Sequence, residues 1–307
     1  MIVELRHLPA PAKLNLFLHV TGRRSDGYHL LETVFELIDL ADSLDLRLRD
    51  DGRIERIGAL PGVAPDADLV VRAARMLAEA SGRGRGVDIE VRKRIPMGGG
   101  LGGGSSDAAT TLLALNRLWE LNWPRERLAV LALRLGADVP VFLFGRAAYA
   151  TGVGERLRPL ALPRRWYVVL APRIGVATVS VFAAPELTRN TKPLRISGLS
   201  RGNQVFRGRN DLQDVVVARH PEVAAALDAL RQAARDVGCD PRAARMTGSG
   251  ACVFLPAEGE SQAQRVRDRL DGRIDAHVFV SRSLAAHPLR EWAFVSAPPR
   301  LRGGEAG

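Results

Sequence analysis

The stretch IPMGGGLGGGSSDAA, residues 95–109, limits what this chain can fold into more than any other stretch. It places six glycines in seven positions, directly before a segment with helical spacing of apolar residues. Glycine costs about 1 kcal/mol relative to alanine in a helix interior, and it weakens a strand. So bare a backbone is unfavourable in a core element. The run therefore indicates a loop whose main chain contacts a ligand.

The residues around the run predict a strand, a loop and a helix in that order. Val87, Ile89 and Val91 alternate with polar residues, as in a half-buried strand, and a helix over 108–119 places its apolar residues on one face. The first N–H groups of a helix lack partners within it, and glycines let successive N–H groups turn toward one anion. The pattern predicts a phosphate-binding loop in which Ser105 or Ser106 caps the helix.

Other interpretations of the run stay open at this point. Gly98, Gly100 and Gly103 match the G-x-G-x-x-G fingerprint of dinucleotide binding, which would favour a nicotinamide-dependent oxidoreductase. That fingerprint should follow directly on a strand, whereas the charged segment RKRIP intervenes here. A Walker A loop needs a lysine that GGSS lacks. A flexible linker is disfavoured because the glycines adjoin an amphipathic helix.

Length and element spacing indicate an α+β chain of two domains. The 307 residues are 46% hydrophobic, which is enough for about two cores. The proline-punctuated segment PLALPRRW, 159–166, favours a first domain over 1–160 and a second over 165–289, with 290–307 as a disordered tail. Expected strands cover 15–20, 34–38, 44–48, 87–91, 166–170 and 276–280, with another after the glycine turn in 246–255; further helices cover 69–80, 125–135, 262–270 and a segment opened by Pro221.

Charge and composition limit the class of partner. The net charge is +10, but the basic residues are spread along the chain and aromatic residues make up only 5%, so a nucleic-acid-binding protein is disfavoured relative to a protein for anionic small molecules. The first 20 residues carry charges, and no apolar run reaches the ~20 residues of a membrane span. Two cysteines give no disulfide framework, which favours the cytoplasm. Monomer and homodimer both remain open.

Four stretches resemble a known group of kinases. PMGGGLGGGSSDAA closely resembles the phosphate-binding motif of the galactokinase, homoserine kinase, mevalonate kinase and phosphomevalonate kinase (GHMP) superfamily. PAKLNLFLHVTGRRSDGYHLLETVF (11–35), LGADVPVFLFG (135–145) and MTGSGACVF (246–254) are similar to signatures of one branch. That branch acts on 4-diphosphocytidyl-2-C-methyl-D-erythritol in non-mevalonate isoprenoid biosynthesis. The similarity runs to about Leu289 in the same order.

The resemblance implies a fold and a reaction. The fold is the two-domain GHMP-kinase fold, with an N-terminal domain like ribosomal protein S5, a ferredoxin-like C-terminal domain and an active site in the cleft between them. The implied reaction transfers the γ-phosphate of ATP to the 2-hydroxyl of the cytidine-diphosphate-linked methylerythritol. A homoserine-type or mevalonate-type substrate remains the alternative. Mg²⁺ is expected to accompany ATP, and the sequence shows no dedicated metal cluster.

The resemblance also assigns roles to single residues. Composition alone does not decide whether Asp138 is a base or caps its loop, and the resemblance makes it the catalytic base. Because Asp138 precedes Val-Pro, its backbone is expected to be extended. Lys13 becomes its catalytic partner. Asn15, Tyr28, His29, Thr178 and Phe182 are assigned to the substrate, with Tyr28 and Phe182 stacking on the base and His29 reading its edge. The ATP-binding residues are Pro96, Met97, Gly98, Gly99, Gly100, Leu101, Gly102, Gly103, Gly104, Ser105 and Ser106.

One position departs from the pattern of the superfamily branch. Its members often have asparagine in DNLxxRA, where this chain has ADLVVRA with Asp68. An asparagine there would help to hold adenine, so the way in which this chain holds the base stays open.

Overall fold

The first sheet is built on one long antiparallel hairpin. The computed structural model describes residues 2–82, 85–194 and 208–295. Strand β1, Glu4–Arg23, pairs with β2, His29–Arg49. The remaining strands are β3, Ile54–Ile57; β4, Gly86–Arg92; β5, Ala148–Thr151; and β6, Arg156–Pro159. Strand β2 also pairs with β4 and β5, and among the described strands of this sheet only β3 and β4 pair in parallel.

Strand β2 unites two strands that the sequence predicts as separate. Asp39 and Asp42 interrupt its apolar pattern, but both carboxylates have partners outside the strand. Asp39 accepts hydrogen bonds from the Ser281 hydroxyl at 2.6 Å and from the Arg282 N–H at 2.9 Å. Asp42 accepts a hydrogen bond from the Ile95 N–H at 2.8 Å. Because the polar positions are satisfied, the strand continues through them.

Four helices cover one face of this sheet. They are α1, Leu69–Ser81; α2, Gly103–Leu118; α3, Arg125–Leu135; and α4, Val139–Phe144. Their apolar residues form one buried cluster with the sheet, including Phe35, Leu112, Trp119 and Phe142. The bounds of α3 are as predicted, whereas α2 begins five residues before its predicted start and α4 was not predicted.

The early start of α2 corrects the prediction that a serine caps it. Gly102 occupies the N-cap position with a left-handed backbone, φ 73°, and no side chain caps the helix. The Ser106 hydroxyl is fully buried and donates to the Pro11 carbonyl at 2.7 Å. The glycine turn, with no side-chain oxygen involved, therefore starts the helix and leaves its first N–H groups free.

The second sheet has a split topology. Its strands are β7, Trp166–Pro172; β8, Arg245–Met246; β9, Val253–Ala257; and β10, Ala276–Arg282. They lie in the order β10-β7-β9-β8 and are all antiparallel, as in a ferredoxin-like sheet. Its helices are α5, Thr178–Phe182; α6, Gln213–Arg219; α7, Pro221–Asp236; and α8, Glu260–Leu270.

The two sheets share an apolar junction. Leu14 and Phe17 of β1 are buried in one cluster with Tyr167 of β7 and Phe254 of β9. The second sheet begins at Trp166, and the division of the chain at 160–165 stays a prediction. No helix in the described part of the chain is both long enough and apolar enough to span a membrane.

The chain returns to the first domain after β10. We call residues 283–295 the C-terminal strap. Its Leu284 N–H donates to the Leu37 carbonyl at 2.8 Å, and its Ala293 is buried in the first core. The prediction of a disordered tail from residue 290 is therefore wrong for 290–295, because their carbonyls bond to Arg125 on α3. Residues 296–307 lie outside the described residues.

Candidate active site

A cavity of about 1040 Å³ lies between the two domains. Every residue that the sequence assigns to the site lines it except Ser106, whose hydroxyl is turned toward β1. The assigned residues in its wall are Lys13, Asn15, Tyr28, His29, Pro96, Met97, Gly98, Gly99, Gly100, Leu101, Gly102, Gly103, Gly104, Ser105, Asp138, Thr178 and Phe182. The structure thus brings the four sequence motifs to one place.

The glycine loop has the geometry of an anion nest. Gly98, Gly100 and Gly102 have φ values of 67°, 75° and 73°, so every second residue is left-handed. Such alternation turns successive N–H groups toward one side. Leu101 is buried between the sheets and anchors the middle of the loop. A Cβ at Gly102 would lie 2.9 Å from Cζ of Phe142, so this position requires glycine for space as well as for conformation.

A second loop, residues 247–252, packs against the first. The N–H of Cys252 donates to the Gly99 carbonyl at 3.1 Å, and that of Ala251 donates to the Gly98 carbonyl at 3.3 Å. The amide of Asn210 donates to the Gly248 carbonyl at 2.8 Å and holds the second loop from behind. The glycine run therefore forms part of the domain junction in addition to lining the cavity.

Lys13 is held in a fixed position on the cavity wall. Its side chain is only 3% exposed, and Nζ lies 2.6 Å from Oδ1 of Asn15 and 2.9 Å from the Gly100 carbonyl oxygen. Nζ is also 3.2 Å from Oδ2 of Asp138. Asn15 is itself fixed, since its amide donates to the Thr33 hydroxyl at 3.0 Å. The ammonium group thus joins β1, the glycine loop and α4.

Asp138 faces the cavity with a side chain that is 38% exposed. The expectation of an extended backbone here is wrong, because Asp138 has φ −86° and ψ −13° and stands at the N-cap of α4. The conformational limit set by Pro140 falls on the preceding residue, Val139, and leaves Asp138 free. The helical turn directs the carboxylate toward Lys13.

Aromatic residues line the other end of the cavity. The rings of His29 and Phe182 pack with centroids 5.0 Å apart and planes 30° apart. Tyr28 is 63% exposed at the rim, so the sandwich of Tyr28 and Phe182 around a base stays a prediction. The Thr178 hydroxyl lies 2.7 Å from the Ser249 hydroxyl, which ties α5 to the second loop.

Sequence reasoning missed a charged cluster beside the loop. Nζ of Lys93 lies between the carboxylates of Asp42 and Asp107 and is 2.7 Å from the latter. Burial raises the pKa of Asp107 to about 7, against the opposite effect of Lys93. Lys93 and Asp107 both line the cavity. The available signal was composition, because Lys93 is one of only three lysines in the chain.

Asp68 has a structural role in this chain. Its side chain accepts a hydrogen bond from the Val70 N–H at 3.0 Å, which caps α1. The same buried carboxylate forms an ion pair with Arg56, whose side chain is also buried. The charge of Asp68 is therefore paired with that of Arg56, although Asp68 still lines the cavity.

The sequence and the fold both match known proteins. The chain matches the family described as GHMP kinases N terminal domain over residues 68–146 and the family described as GHMP kinases C terminal over residues 190–275. It is 59% identical to 4-diphosphocytidyl-2-C-methyl-D-erythritol kinase of Thiobacillus denitrificans over 92% of this chain and 97% of that protein. It is 55% identical to the protein of the same name from Aromatoleum aromaticum, over 95% and 98% respectively.

Solved structures extend the likeness. One of 4-(cytidine 5'-diphospho)-2C-methyl-D-erythritol kinase matches with a TM-score of 0.73 at 37% identity, covering 91% of this chain and 98% of that one. Homoserine kinase from Cytophaga hutchinsonii matches with a TM-score of 0.69 at 19% identity, over 94% and 96%, which shows a shared fold alone. The chain belongs to the 4-diphosphocytidyl-2-C-methyl-D-erythritol kinase family of the GHMP kinases.

Proposed function

We propose that this chain transfers the γ-phosphoryl group of ATP to the 2-hydroxyl of 4-diphosphocytidyl-2-C-methyl-D-erythritol. The observation that carries the proposal is the pair of Lys13 and Asp138, whose Nζ and Oδ2 are 3.2 Å apart on the wall of one cavity with the glycine loop. Phosphoryl transfer depends mainly on positioning and electrostatics. The cavity offers both, together with an aromatic pocket for a nucleobase.

The glycine loop is the proposed site of the ATP phosphates. Its left-handed residues and the free N–H groups at the start of α2 supply donors without any side chain. Helix α2 has sixteen residues, and the dipole at its N-terminus favours an anion there. The phosphates would therefore lie beside Lys13, which touches the loop at the Gly100 carbonyl.

Mg²⁺ would accompany ATP. No group of three or more His, Cys, Asp or Glu side chains in the described ranges could hold a metal ion. Mg²⁺ usually keeps several waters and binds substrate phosphates with few protein ligands, and Ser105 and Asp138 line this cavity as oxygen donors. The residues therefore fit an ion that arrives with the nucleotide, and its charge would neutralise phosphate oxygens.

The proposed chemistry uses one base and one cation. The substrate oxygen forms a bond to the γ-phosphorus, the bond from that phosphorus to the β–γ bridging oxygen breaks, and ADP leaves. The hydroxyl proton passes to the carboxylate of Asp138. Lys13 offsets the charge that develops on the phosphoryl oxygens, and Asn15 and the Gly100 carbonyl keep its ammonium in place.

The proposed location is the cytoplasm. ATP is available there, and the two cysteines of the chain, Cys239 and Cys252, are unpaired.

Two variants test the assignment of the catalytic pair. Asp138→Asn should lower kcat by about 10²–10⁴-fold, because a positioned base contributes that much. Lys13→Met should lower kcat by about 10²–10³-fold, because it removes a fixed donor that stabilises the developing charge. The measurement is a coupled ADP-release assay with ATP and the cytidine-linked alcohol, and with homoserine and mevalonate as competing acceptors. Asp228→Asn is the control, since its carboxylate is exposed on α7 outside the cavity.

The outcomes separate the pair from the substrate. Wild-type turnover in Asp138→Asn or Lys13→Met would refute the assignment of these two residues to catalysis. Preferential turnover of homoserine or mevalonate by the wild type would leave the pair standing and overturn the proposed acceptor.

A further inference from the structure

Arg189 connects two of the aromatic residues of the base pocket, His29 and Phe182. It follows α5 and is half-buried, and its guanidinium group donates hydrogen bonds to four neighbouring acceptors. Its Nε lies 3.1 Å from Nε2 of His29, and its Nη2 lies 3.0 Å from the carbonyl oxygen of Phe182. Its remaining bonds go to the Ala184 carbonyl at 2.6 Å and the Leu187 carbonyl at 3.0 Å. The guanidinium group thus fixes the imidazole of His29 and the end of α5, which carries the Phe182 ring that packs on that imidazole.

The bond from Arg189 fixes the tautomer of His29. A guanidinium group has only donors, so the ring nitrogen that faces it must be an acceptor without hydrogen. That nitrogen is Nε2, and a neutral imidazole then carries its hydrogen on Nδ1. His29 lines the cavity, so it can present this N–H to a ligand there.

The charges around His29 keep the ring neutral. Burial lowers the pKa of His29, and the positive charges of Arg189 and Arg23 lower it further. Arg23 lies at the end of β1 and Arg189 lies after α5, so cations face the imidazole from both domains. At neutral pH the ring is therefore a single-donor group.

We propose that Arg189 is a positioning residue that makes the pocket select cytosine over uracil, by holding His29 as a neutral donor at Nδ1. This inference rests on the proposed function, because it needs a pyrimidine in the cavity. The N3 atom of cytosine is an acceptor, whereas N3 of uracil carries a hydrogen. A fixed Nδ1–H that faces N3 pairs with cytosine and meets another N–H in uracil. A buried donor left unpaired rejects the wrong ligand strongly.

Stacking cannot supply this selection. A ring packed on a base tolerates every base, because each has a π-face. Phe182 therefore contributes affinity without choosing between the two pyrimidines. The choice needs a hydrogen-bonding group of fixed polarity, and Arg189 fixes the polarity of His29.

The test measures kcat/KM for the cytidine-linked and uridine-linked substrates between pH 5 and 8. In Arg189→Met the preference for cytidine should fall about 10-fold, since the imidazole is free to change tautomer. The pKa of His29, followed by NMR, should also rise in this variant, because a nearby positive charge is lost. The control is Arg219→Met. Arg219 also donates to a carbonyl of α5, that of Ser180, but it does not bond to His29. It should leave both quantities unchanged.

A second measurement does not depend on the variant or on activity. Nitrogen NMR of the wild-type protein, with the His29 signals assigned by their loss in His29→Gln, should show a neutral ring protonated on Nδ1. A ring protonated on Nε2 would overturn the inference even if Arg189→Met does not fold. So would an unchanged cytidine preference and an unchanged His29 pKa in folded Arg189→Met. A wild type with no activity on the cytidine substrate would refute the proposed function, and the NMR result would still decide how Arg189 acts on His29.

Discussion

At the scale of single residues, two buried carboxylates share one ammonium group beside the glycine loop. Asp42 and Asp107 both contact Nζ of Lys93, and Oδ1 of Asp107 has no hydrogen-bond partner among the described residues. Burial raises the pKa of Asp107 to about 7, with Asp42 acting in the same direction and Lys93 against it. The folded protein therefore holds a proton on Asp107 at mildly acidic pH.

This proton gives stability a pH dependence of definite sign. Between about pH 4 and pH 7 the folded state keeps a proton that an unfolded aspartate, with an ordinary pKa near 3.9, has released. The contribution of this group to stability is thus present at low pH and is lost as pH rises through that window. Asp107→Asn should make the free energy of unfolding less dependent on pH, by about 1–3 kcal/mol between pH 5 and 8.

Urea unfolding at pH 5, 6, 7 and 8 measures the difference between variant and wild type. Asp228→Asn, at an exposed position, should follow the wild-type curve. Parallel curves for Asp107→Asn and the wild type would show that Asp107 keeps an ordinary pKa.

Single residues differ in how far the sequence could reveal them. Lys13 and Asp138 stand inside quoted motifs, and the structure places them 3.2 Å apart. Arg189 stands outside those motifs, and its partner His29 is 160 positions away along the chain. A pairing of that kind depends on how two domains fold together. No local spacing encodes it.

At the scale of elements, the glycine loop and the start of α2 form one unit. Gly102 is left-handed, and a Cβ there would lie 2.9 Å from Phe142 and 3.2 Å from Cε of Lys13. Gly104 has no such constraint, because the nearest atom to its Cβ would be Leu69 Cδ1 at 3.5 Å. The two positions are two residues apart on the same turn. Substituting both positions in turn therefore distinguishes a position that requires glycine from one that tolerates another residue.

Gly102→Ala should weaken ATP binding about 10-fold or more and lower kcat, because a left-handed non-glycine residue is strained and its methyl group presses on Lys13. Gly104→Ala should bind ATP nearly as the wild type does. Titration calorimetry with ATP gives the affinities, and thermal unfolding checks that both variants fold. Equal affinity in the two variants would mean that Gly102 has no special place in the phosphate site.

Helices with regularly spaced apolar residues could be predicted from the sequence. Helix ends and short helices that depend on backbone conformation could not. Helix α3 has the predicted bounds of 125–135, because its apolar stripe and terminal glycine mark both ends. Helix α2 starts at Gly103 because the first turn of a helix makes few bonds of its own, so glycine is tolerated there. The short helix α4 has a nearly continuous apolar sequence, VPVFLF, without helical periodicity.

At the scale of the whole molecule, the chain crosses between the domains more often than a single boundary suggests. After β10 the C-terminal strap leaves the second sheet and packs on the first domain. The prediction of disorder from residue 290 arose because APPRLRGGEAG, residues 297–307, resembles a tail, and that whole stretch lies outside the described residues, whereas 290–295 pack on the first domain. The strap also reaches α4, since the His287 N–H donates to the Gly145 carbonyl at 2.8 Å. It therefore supports the helix whose other end carries Asp138.

Arg125 is the main polar anchor of this strap. It lies at the start of α3 with its side chain largely buried, and its Nη2 donates to the Ala293 carbonyl at 2.7 Å and to that of Arg290. Removing the guanidinium leaves two largely buried carbonyls without this donor, and each such loss costs about 1–3 kcal/mol. We expect Arg125→Ala to lower the free energy of unfolding by about 2–4 kcal/mol. Arg134→Ala, in the last turn of the same helix and exposed, should have little effect.

The same variant tests whether the strap supports the active site. If the strap loosens, α4 loses support at Phe144 and Gly145, and the carboxylate of Asp138 shifts relative to Lys13. Small displacements of reacting groups are costly, so kcat should fall about 10-fold. The KM for ATP should change little, since no hydrogen bond in the described part of the chain joins the strap to the glycine loop. Trypsin should also cut sooner after Arg290 in Arg125→Ala. Faster cleavage with unchanged kcat would show that the strap stabilises the first domain without positioning Asp138.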